Sequence, residues 1–367
     1  MLKKSIYLIV YFNLKINLFS ANLYDYLYSI NNSSNIRVEQ NVLKRLVDGF
    51  RLEHQQNSLV RYYEKLYTRK PKIFQLLLRN ATPYIYYILS QTEKNGLPSE
   101  IALIPGIESL YNPKAISNTN AFGLWQFMQG TGKRFQLNKY QNIDDRQNIV
   151  KSTIAAIKYF RYLYNIFGQW ELAIGAYNCG EGNMYRSIMS SKYSRGNIDY
   201  YSLKLNKETI NYLPKLIALA SIIENPSKFN ISFNEIDNVP YFALVKIKND
   251  ISIEDLLSQS KISKHNFFLL NPQYRYLDYI LTKNQNILLP IENRNKYYLF
   301  NHIAIDQIQS LDEKNTDDPI YNFINTRDDD NNNDYLEDFI NNNLDDNYSS
   351  QVRGESELDK LIKDLDN

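Results

Sequence analysis

Apolar residues recur every three to four positions through most of residues 81–230, and no stretch there alternates like a strand. The period is clearest at Ile154, Ile157, Phe160 and Tyr164. Helices are therefore predicted over 120–136, 146–167, 170–190 and 207–225. The sequence predicts a mainly α protein, with an all-α domain at 81–230 and a helical region at 22–80 packing outside it.

Two more helices are predicted before residue 111. Thr82 and Pro83 are typical of an N-cap and a first helical position, so the first helix is expected to begin there and to end near Gly96. Ser99 is expected to cap the second. Apolar residues occupy almost every side of this second helix, namely Ile101, Leu103, Ile104, Ile107 and Leu110. Such a helix is predicted to be buried.

The pattern changes near Pro240. Residues 241–247 alternate like a strand, 253–257 and 265–270 have helical spacing, and 287–290 form a second strand pattern. We predict a small α+β unit with the order β-α-α-β at 240–291. Beyond Ser310 the chain is rich in Asn and Asp, which predicts a disordered tail at 310–367 with a transient helix over 358–365.

Charge is distributed unevenly along the chain. Residues 310–367 hold 17 acidic and 5 basic residues, a net charge of −12, whereas the whole chain carries +2. The residues before Ser310 therefore carry about +14. A basic body suits an anionic polymer such as nucleic acid, a membrane surface or a cell wall, and charge alone does not choose among them.

The N-terminus has the pattern of a secretory signal. Lys3 and Lys4 precede an apolar run, and Ala21 offers a small residue for cleavage, so 1–21 is predicted to be a signal peptide. An uncleaved anchor or a plain helix remain alternatives. No cysteine lies near the cut to carry a lipid anchor. The single cysteine, Cys179, excludes an internal disulfide, and the three histidines lack metal-ligand spacing, so no metal or cofactor is expected.

Glu108 is the first candidate for chemistry. It lies among Ile104, Pro105, Ile107 and Leu110 in the helix predicted to be buried. A carboxyl group in such surroundings is favoured in its protonated form unless it is paired. A protonated glutamate in an apolar cleft is what a glycosidase needs as its general acid. A structural glutamate that caps or pairs inside a helical core is the alternative.

Three sequence blocks follow one another around and after this residue. The first contains Glu108-Ser109, the second is Gly123-Leu124-Trp125-Gln126, and the third is Ala176-Tyr177-Asn178-Cys179-Gly180. Their order and spacing resemble the goose-lysozyme-like SLT catalytic domain of lytic transglycosylases, in the branch of the D-type membrane-bound enzymes. The resemblance covers about 81–229 and includes Tyr212-Leu213-Pro214-Lys215.

The resemblance implies a role for several residues. Glu108 would be the catalytic acid and base, and Ser117 would hydrogen-bond near it. Gln126 would line the glycan cleft, Tyr177 would orient the acid, and Asn178 would be its cleft neighbour. Each has a structural alternative: Ser117 as a turn residue, Trp125 and Phe127 as core rather than sugar platforms, Glu181 as a solvated charge, and Cys179 as a buried small residue.

The implied chemistry needs one carboxyl group. Ordinary glycosidases use two, and no second acid occupies a motif position here. In the family, one glutamate protonates the oxygen leaving C4 of N-acetylglucosamine. It then deprotonates the C6 hydroxyl of N-acetylmuramic acid, which attacks C1 of its own ring. The substrate supplies its own nucleophile, so effective molarity replaces the second carboxyl group. A 1,6-anhydromuramoyl end results.

Residues 240–291 resemble a LysM peptidoglycan-binding module, with Asn249 where the turn glycine is usual. The expected partner is therefore a peptidoglycan glycan strand, for a periplasmic monomer associated with the cell wall or peripherally with the membrane. A goose-type lysozyme that uses water and a non-catalytic wall-binding or scaffold protein are the alternatives. Nucleic acid is not an expected partner, because no nucleic-acid motif accompanies the basic body.

Overall fold

The structure, a computed structural model, describes residues 39–140, 142–191 and 198–302, together with Leu358, Lys360 and Leu361. The predicted signal peptide and most of the predicted acidic tail lie outside the described residues. The elements below belong to one compact unit, Val42–Asn367.

Helices make up most of the described chain, as predicted. The α-helices before residue 240 are α1 (Val42–Asp48), α2 (Ser58–Thr68), α3 (Pro71–Ala81), α4 (Ile85–Lys94), α5 (Ile104–Ser109), α6 (Gln129–Arg134), α7 (Ile149–Phe167), α8 (Trp170–Cys179), α9 (Glu181–Met189) and α10 (Lys207–Glu224). Short 3-10 helices cover Ser99–Leu103, Asp145–Gln147, Tyr200–Ser202 and Pro226–Phe229.

The helix α10 lies at the centre of this domain. It packs against α2, α5 and α8, and nearly every residue from Tyr212 to Ile223 is buried. Asn206 caps its start by accepting a hydrogen bond from the Thr209 amide at 2.8 Å. A helix that is apolar on almost every side is stable only inside a shell of other helices, and this is the arrangement found.

Helix boundaries differ from the predictions at several places. Thr82 does not begin a helix; its hydroxyl donates to the Leu78 carbonyl at 3.0 Å and it ends α3, so the next helix starts at Ile85. The predicted helix at 99–110 is a 3-10 turn followed by the short α5. Ser99 bonds to the Leu46 carbonyl at 2.6 Å rather than capping its own helix. Both side chains that were predicted to cap a new helix bond elsewhere, Thr82 to the preceding helix and Ser99 to a distant carbonyl.

The predicted helix at 120–136 is reduced to α6. The residues before it form turns, because Asn120, Gly123 and Gln126 adopt left-handed backbone angles that interrupt a helix. A short antiparallel hairpin, β1 (Lys139–Tyr140) and β2 (Ile143–Asp144), follows in the domain that was predicted to lack strands. Gly180, with φ of 84°, divides the predicted helix at 170–190 into α8 and α9.

Residues 242–290 form a small α+β unit. Its strands are β3 (Phe242–Lys246), β4 (Ile251–Ser252), β5 (Ile280–Leu281) and β6 (Asn286–Pro290), and its helices are α11 (Ile253–Ser260) and α12 (Lys264–Leu270). Strand β3 pairs antiparallel with β6, placing Phe242 opposite Pro290 and Lys246 opposite Asn286. The strands β4 and β5 form a second short pair. A further helix, α13 (Ile291–Phe300), packs on α11.

This unit has its own hydrophobic core and also contacts the helical domain. Val245, Ile253, Phe267 and Leu289 belong to its core. Asn271 fastens α12 to β6, donating to the Leu288 carbonyl and accepting from the Leu288 amide, both at 2.8 Å.

The contact between the two parts is made by α4 and the residue before it. The Tyr84 hydroxyl donates to the Leu269 carbonyl at 3.0 Å, and Tyr87 lies against Phe242 with ring centroids 5.4 Å apart. Phe242, Leu270 and Leu288 also join the core of the helical domain. The two parts therefore share a packed interface.

The three described residues of the tail lie where the sequence predicts a transient helix, over 358–365. Leu358, Lys360 and Leu361 are helical, and Leu358 is 1% exposed within the main core. Leu358 and Leu361 are one helical turn apart, so both can face the same apolar surface. Among the described residues, no helix combines the length and the apolar character that crossing a membrane requires.

Candidate active site

Glu108 lies near the end of the short helix α5. Pro105 stands in the first turn of this helix, where its missing N–H costs nothing. The helix ends at once after Ser109, because Leu110 and Tyr111 both adopt left-handed backbone angles, with φ of 52° and 53°. The Glu108 side chain is thereby placed where an irregular segment begins, and it is 5% exposed.

The Tyr212 hydroxyl holds the Glu108 carboxyl group. It donates a hydrogen bond to Glu108 Oε1 at 2.6 Å, from a position 104 residues later in the chain. Gly106 lets the two helices approach, since a Cβ there would lie 3.3 Å from Leu219 Cδ2. Tyr212 and Leu219 are two turns apart on one face of α10, so the contact at Gly106 also brings Tyr212 to Glu108.

The loop of residues 115–127 is tied to α5 through Ser109. The Ser109 hydroxyl lies 2.9 Å from the Leu124 carbonyl and 3.1 Å from the Pro105 carbonyl, both of which are acceptors. Gly123 is required in this loop because its φ is 80° and a Cβ would lie 2.2 Å from the Arg146 carbonyl oxygen. The close approach to Arg146 therefore explains why the second sequence block has a glycine at position 123. The loop is held against α5, the helix that carries Glu108.

Ser117 and Gln126 shape this same loop. Ser117 Oγ accepts from the Ala121 amide at 3.0 Å and from the Thr119 amide at 3.3 Å. Gln126 Nε2 donates to the Gly123 carbonyl at 2.8 Å and to the Ala115 carbonyl at 3.3 Å. Both side chains are buried, with Ser117 8% and Gln126 4% exposed. These hydrogen bonds fit the turn role that was the alternative for Ser117.

Tyr177 and Asn178 lie on α8, behind the same loop. The Tyr177 hydroxyl donates to the Trp125 carbonyl at 2.8 Å, and its ring stacks on Phe160 with centroids 4.3 Å apart. Asn178 Oδ1 accepts from the Thr209 hydroxyl at 2.8 Å, at the start of α10. The third sequence block thus connects the loop to the helix that carries Tyr212.

Other residues of the motifs belong to the core or to a buried ion pair. Trp125 and Phe127 are fully buried, and Trp125 Nε1 donates to the Thr153 hydroxyl at 3.1 Å, so they are core residues and not sugar platforms. Glu181 is not a solvated charge: it pairs with Arg134 and accepts from the Tyr159 hydroxyl at 2.8 Å. Burial lowers the pKa of Arg134, but the Glu181 carboxylate together with Tyr159 and Tyr162 raises it by more. Cys179 is buried.

The sequence reasoning did not select Tyr212 as a site residue. The available signal was the block Tyr212-Leu213-Pro214-Lys215, noted only as part of the resemblance. The structure brings Glu108 and Tyr212 into direct contact. It places Ser117 and Gln126 in the loop that Ser109 ties to α5, and Tyr177 and Asn178 on α8. Within the described residues, no group of three His, Cys, Asp or Glu side chains is arranged to hold a metal ion.

This arrangement suits proton transfer by one carboxyl group. Glu108 is largely shielded from water, and one oxygen is fixed by the Tyr212 hydroxyl while the loop is fixed by Ser109. A positioned carboxyl group can donate a proton to a leaving oxygen and take one back later. Preorganisation of this kind is what an acid and base catalyst requires.

Known proteins resemble the chain in this region. Residues 86–199 match the family model of the transglycosylase SLT domain. The chain is 31% identical over 217 residues to membrane-bound lytic murein transglycosylase D of Escherichia coli (strain K12), covering 59% of this chain and 48% of that protein. The chain thus spans about half the length of this relative.

A second relative is covered more fully. The putative tributyltin chloride resistance protein of Alteromonas sp. (strain M-1) is 36% identical over 168 residues, which is 46% of this chain and 79% of that protein. The matched family model covers the Glu108 helix, the loop of residues 115–127 and the helix that carries Tyr177. The chain therefore belongs to the family of proteins built on a transglycosylase SLT domain and is similar to membrane-bound lytic murein transglycosylase D.

Proposed function

We propose that this protein is a peptidoglycan lytic transglycosylase with Glu108 as its acid and base. The observation that carries the proposal is the buried Glu108 carboxyl group, fixed by the Tyr212 hydroxyl at 2.6 Å beside the SLT sequence blocks. The name of the Escherichia coli relative, a murein transglycosylase, supports the same activity.

The proposed reaction has two proton transfers by one group. Glu108 first protonates the glycosidic oxygen between N-acetylmuramic acid and N-acetylglucosamine as the C1–O bond breaks. Glu108, now a carboxylate, then takes the proton of the C6 hydroxyl of N-acetylmuramic acid, whose oxygen bonds to C1 of the same ring. The products are a free C4 hydroxyl and a 1,6-anhydromuramoyl end, and no water is consumed. A hydrogen bond from Tyr212 stabilises the carboxylate between the two steps.

The loop of residues 115–127 is proposed to form one wall of the glycan cleft. Ser117 and Gln126 hold its shape through their turn hydrogen bonds, and Tyr177 supports it from behind through the Trp125 carbonyl. Asn178 fixes α8 to the start of α10 and so stabilises the position of Tyr212. Their proposed contribution is to orient the strand and the acid.

The unit at 240–291 is proposed to bind peptidoglycan as a LysM-like module. Its element order and its packing against the helical domain support this role. A second binding contact would raise the effective concentration of the enzyme on the strand. Deletion of 240–291 should lower the fraction of protein that pellets with purified sacculi, and an unchanged fraction would remove the module from the proposal.

We place the protein in the cell envelope, since its substrate would lie there and the relative is named as membrane-bound. Within the envelope, the predicted signal at 1–21 favours the periplasm.

Mass spectrometry of muropeptides released from purified sacculi tests the activity. Products lighter by one water than reducing muropeptides, with an anhydro ring, are expected. Reducing ends would indicate a lysozyme on the same fold. Absence of release by folded protein that still pellets with sacculi would indicate a scaffold role.

A further inference from the structure

A cavity of about 550 Å³ lies between the helical domain and the α+β unit. One wall is formed by the first half of α7 and by the β1–β2 hairpin. The other wall is formed by β6 and by the turn that follows α12. The side chains described around Glu108 do not line it. Its volume falls in the range of about 300–1,000 Å³ that is usual for small-molecule sites.

The lining combines an apolar floor with amide side chains. Val150, Ile154 and Leu288 form part of the floor. The amide residues that line it are Gln136, Asn138, Asn148, Asn271, Gln273, Gln285 and Asn286. An amide side chain both donates and accepts hydrogen bonds, as the hydroxyl and acetamido groups of a sugar do. The floor suits the apolar face of a sugar ring.

Tyr140 adds an aromatic surface to this lining. It lies on β1, and its side chain is among the most exposed large apolar groups of the described chain, at 57%. An exposed tyrosine presents a flat apolar ring with a polar tip, which suits a ligand that is partly apolar and partly hydrogen-bonding. The hairpin that carries it was not predicted from the sequence.

Gln273 carries the most specific signal. It is 3% exposed, lines the cavity, and its Oε1 has no hydrogen-bond partner among the described residues. The neighbouring Tyr274 hydroxyl accepts from Gln285 Nε2 at 2.7 Å, so this part of the wall is already ordered. An unpaired buried acceptor is unfavourable, and rotation of the Gln273 amide toward the cavity would let Oε1 accept from a ligand hydroxyl or acetamido N–H.

The charges on the wall favour a sugar over a highly charged ligand. Asp145 and Lys151 neutralise each other, with Oδ1 and Nζ 2.8 Å apart. Lys158 lines the same wall, and its single positive charge is compatible with the lactyl carboxylate of an N-acetylmuramic acid residue.

We propose that this cavity is an accessory saccharide subsite, which takes an N-acetylated amino sugar of a glycan strand at a distance from the Glu108 site. The choice of the peptidoglycan glycan as its natural ligand rests on the proposed function. The site couples the catalytic domain to the α+β unit, because one sugar would contact side chains from both.

A tryptophan reporter tests the site directly. The full chain carrying Glu108→Gln, which prevents turnover, is combined with Tyr140→Trp and titrated with the N-acetylglucosamine tetramer. We expect a saturable change in fluorescence. Gln273→Leu should weaken the apparent affinity about threefold to tenfold, the value of one net hydrogen bond. The exposed Asn286→Ala change provides a second variant that leaves the core intact.

Tyr62→Trp is the matched control, since Tyr62 is also 57% exposed but lies on α2 outside the cavity. Native Trp125 and Trp170 also fluoresce, so each signal is taken as the difference from the parent that carries only Glu108→Gln. By that measure Tyr62→Trp should show no change with the tetramer. The proposal is overturned by an unresponsive Tyr140→Trp protein, by an affinity that neither Gln273→Leu nor Asn286→Ala alters, or by a response to free stem peptide alone. Failure of the wild-type chain to digest sacculi would remove the proposed function and leave this titration interpretable.

Discussion

Two glutamates lie eight positions apart, at opposite ends of the segment 99–109, and both are buried. Glu100 is fully buried and accepts two backbone hydrogen bonds at Oε1, from Arg51 at 2.9 Å and from Leu52 at 2.8 Å. Glu108 is 5% exposed, and a side-chain hydroxyl, that of Tyr212, donates to its Oε1. The first carboxyl group closes a backbone turn and the second is held by a side chain.

Both carboxyl groups are buried, so burial does not distinguish their roles, whereas the groups that donate to them do. A carboxylate that pairs two amides of a distant loop fixes that loop, and its removal leaves those amides unpaired. A carboxyl group held by a side-chain hydroxyl at the end of a short helix is placed to exchange a proton with a ligand, which catalysis requires. The segment thus has a structural half, Ser99–Leu103, and a second half, Ile104–Ser109, that carries the proposed acid.

The strongest test of this contrast is the pair Glu108→Gln and Glu100→Gln. Loss of the acid should lower the rate of anhydromuropeptide release by on the order of 10²- to 10⁴-fold, because general acid catalysis contributes about that much. The matched Glu100→Gln variant keeps an acceptor oxygen for the two amides and should retain most of the rate. Activity that survives Glu108→Gln in folded protein would end the assignment.

The two positions should have the reverse order in their effect on stability, with the larger loss at Glu100. Glu100→Ala leaves the Arg51 and Leu52 amides without their acceptor, so the free energy of unfolding should fall by about 2–4 kcal/mol. Glu108→Gln should change it by less than about 1 kcal/mol. Urea unfolding followed by circular dichroism measures both. The control is Glu235→Ala, since that side chain is exposed. A larger loss for Glu108→Gln than for Glu100→Ala would reverse the contrast.

Tyr212→Phe removes the hydroxyl that holds Glu108 and keeps the ring. We expect kcat to fall about 10-fold to 150-fold, the equivalent of one hydrogen bond to a charged group, with little change in KM. Tyr84→Phe is the matched control, because Tyr84 is a buried tyrosine that bonds to the Leu269 carbonyl far along the chain. Equal effects of the two variants on kcat would mean that Tyr212 acts through stability alone.

The sequence revealed the catalytic candidate because its signal is local. Glu108 interrupts an apolar helix pattern, and the spacing of the three blocks adds a specific signature. The mainly α class is equally local, since the periods of α7 and α10 are long and regular.

Tyr212 could not be derived in the same way. Its contact with Glu108 spans 104 residues and depends on how closely α5 and α10 approach at Gly106. Residues 120–127 were predicted as the start of a helix, but hydrogen bonds of the Ser117 and Gln126 side chains take the place of the helical backbone bonds there. The accessory cavity also arises only when two parts of the chain pack together.

The smallest expected effect concerns His54, which lies beside the structural glutamate. Its Nε2 is 3.4 Å from Glu100 Oε1 and its Nδ1 is 3.6 Å from Glu224 Oε2. The nearby Glu100 carboxylate raises the pKa of His54 and outweighs the opposing effect of burial. The protonated histidine therefore stabilises the fold. Its contribution is fully present below the unfolded-state pKa near 6.5 and is lost as pH rises through the higher folded-state pKa.

The urea midpoint of the native chain should therefore fall as pH rises through this window. This fall should be smaller than the fall in the midpoint that Glu100→Ala causes. In His54→Gln the fall should be smaller, while activity at fixed pH stays near that of the native chain. An identical pH profile in the two proteins would show that the charge on His54 does not contribute to the structural half of the segment.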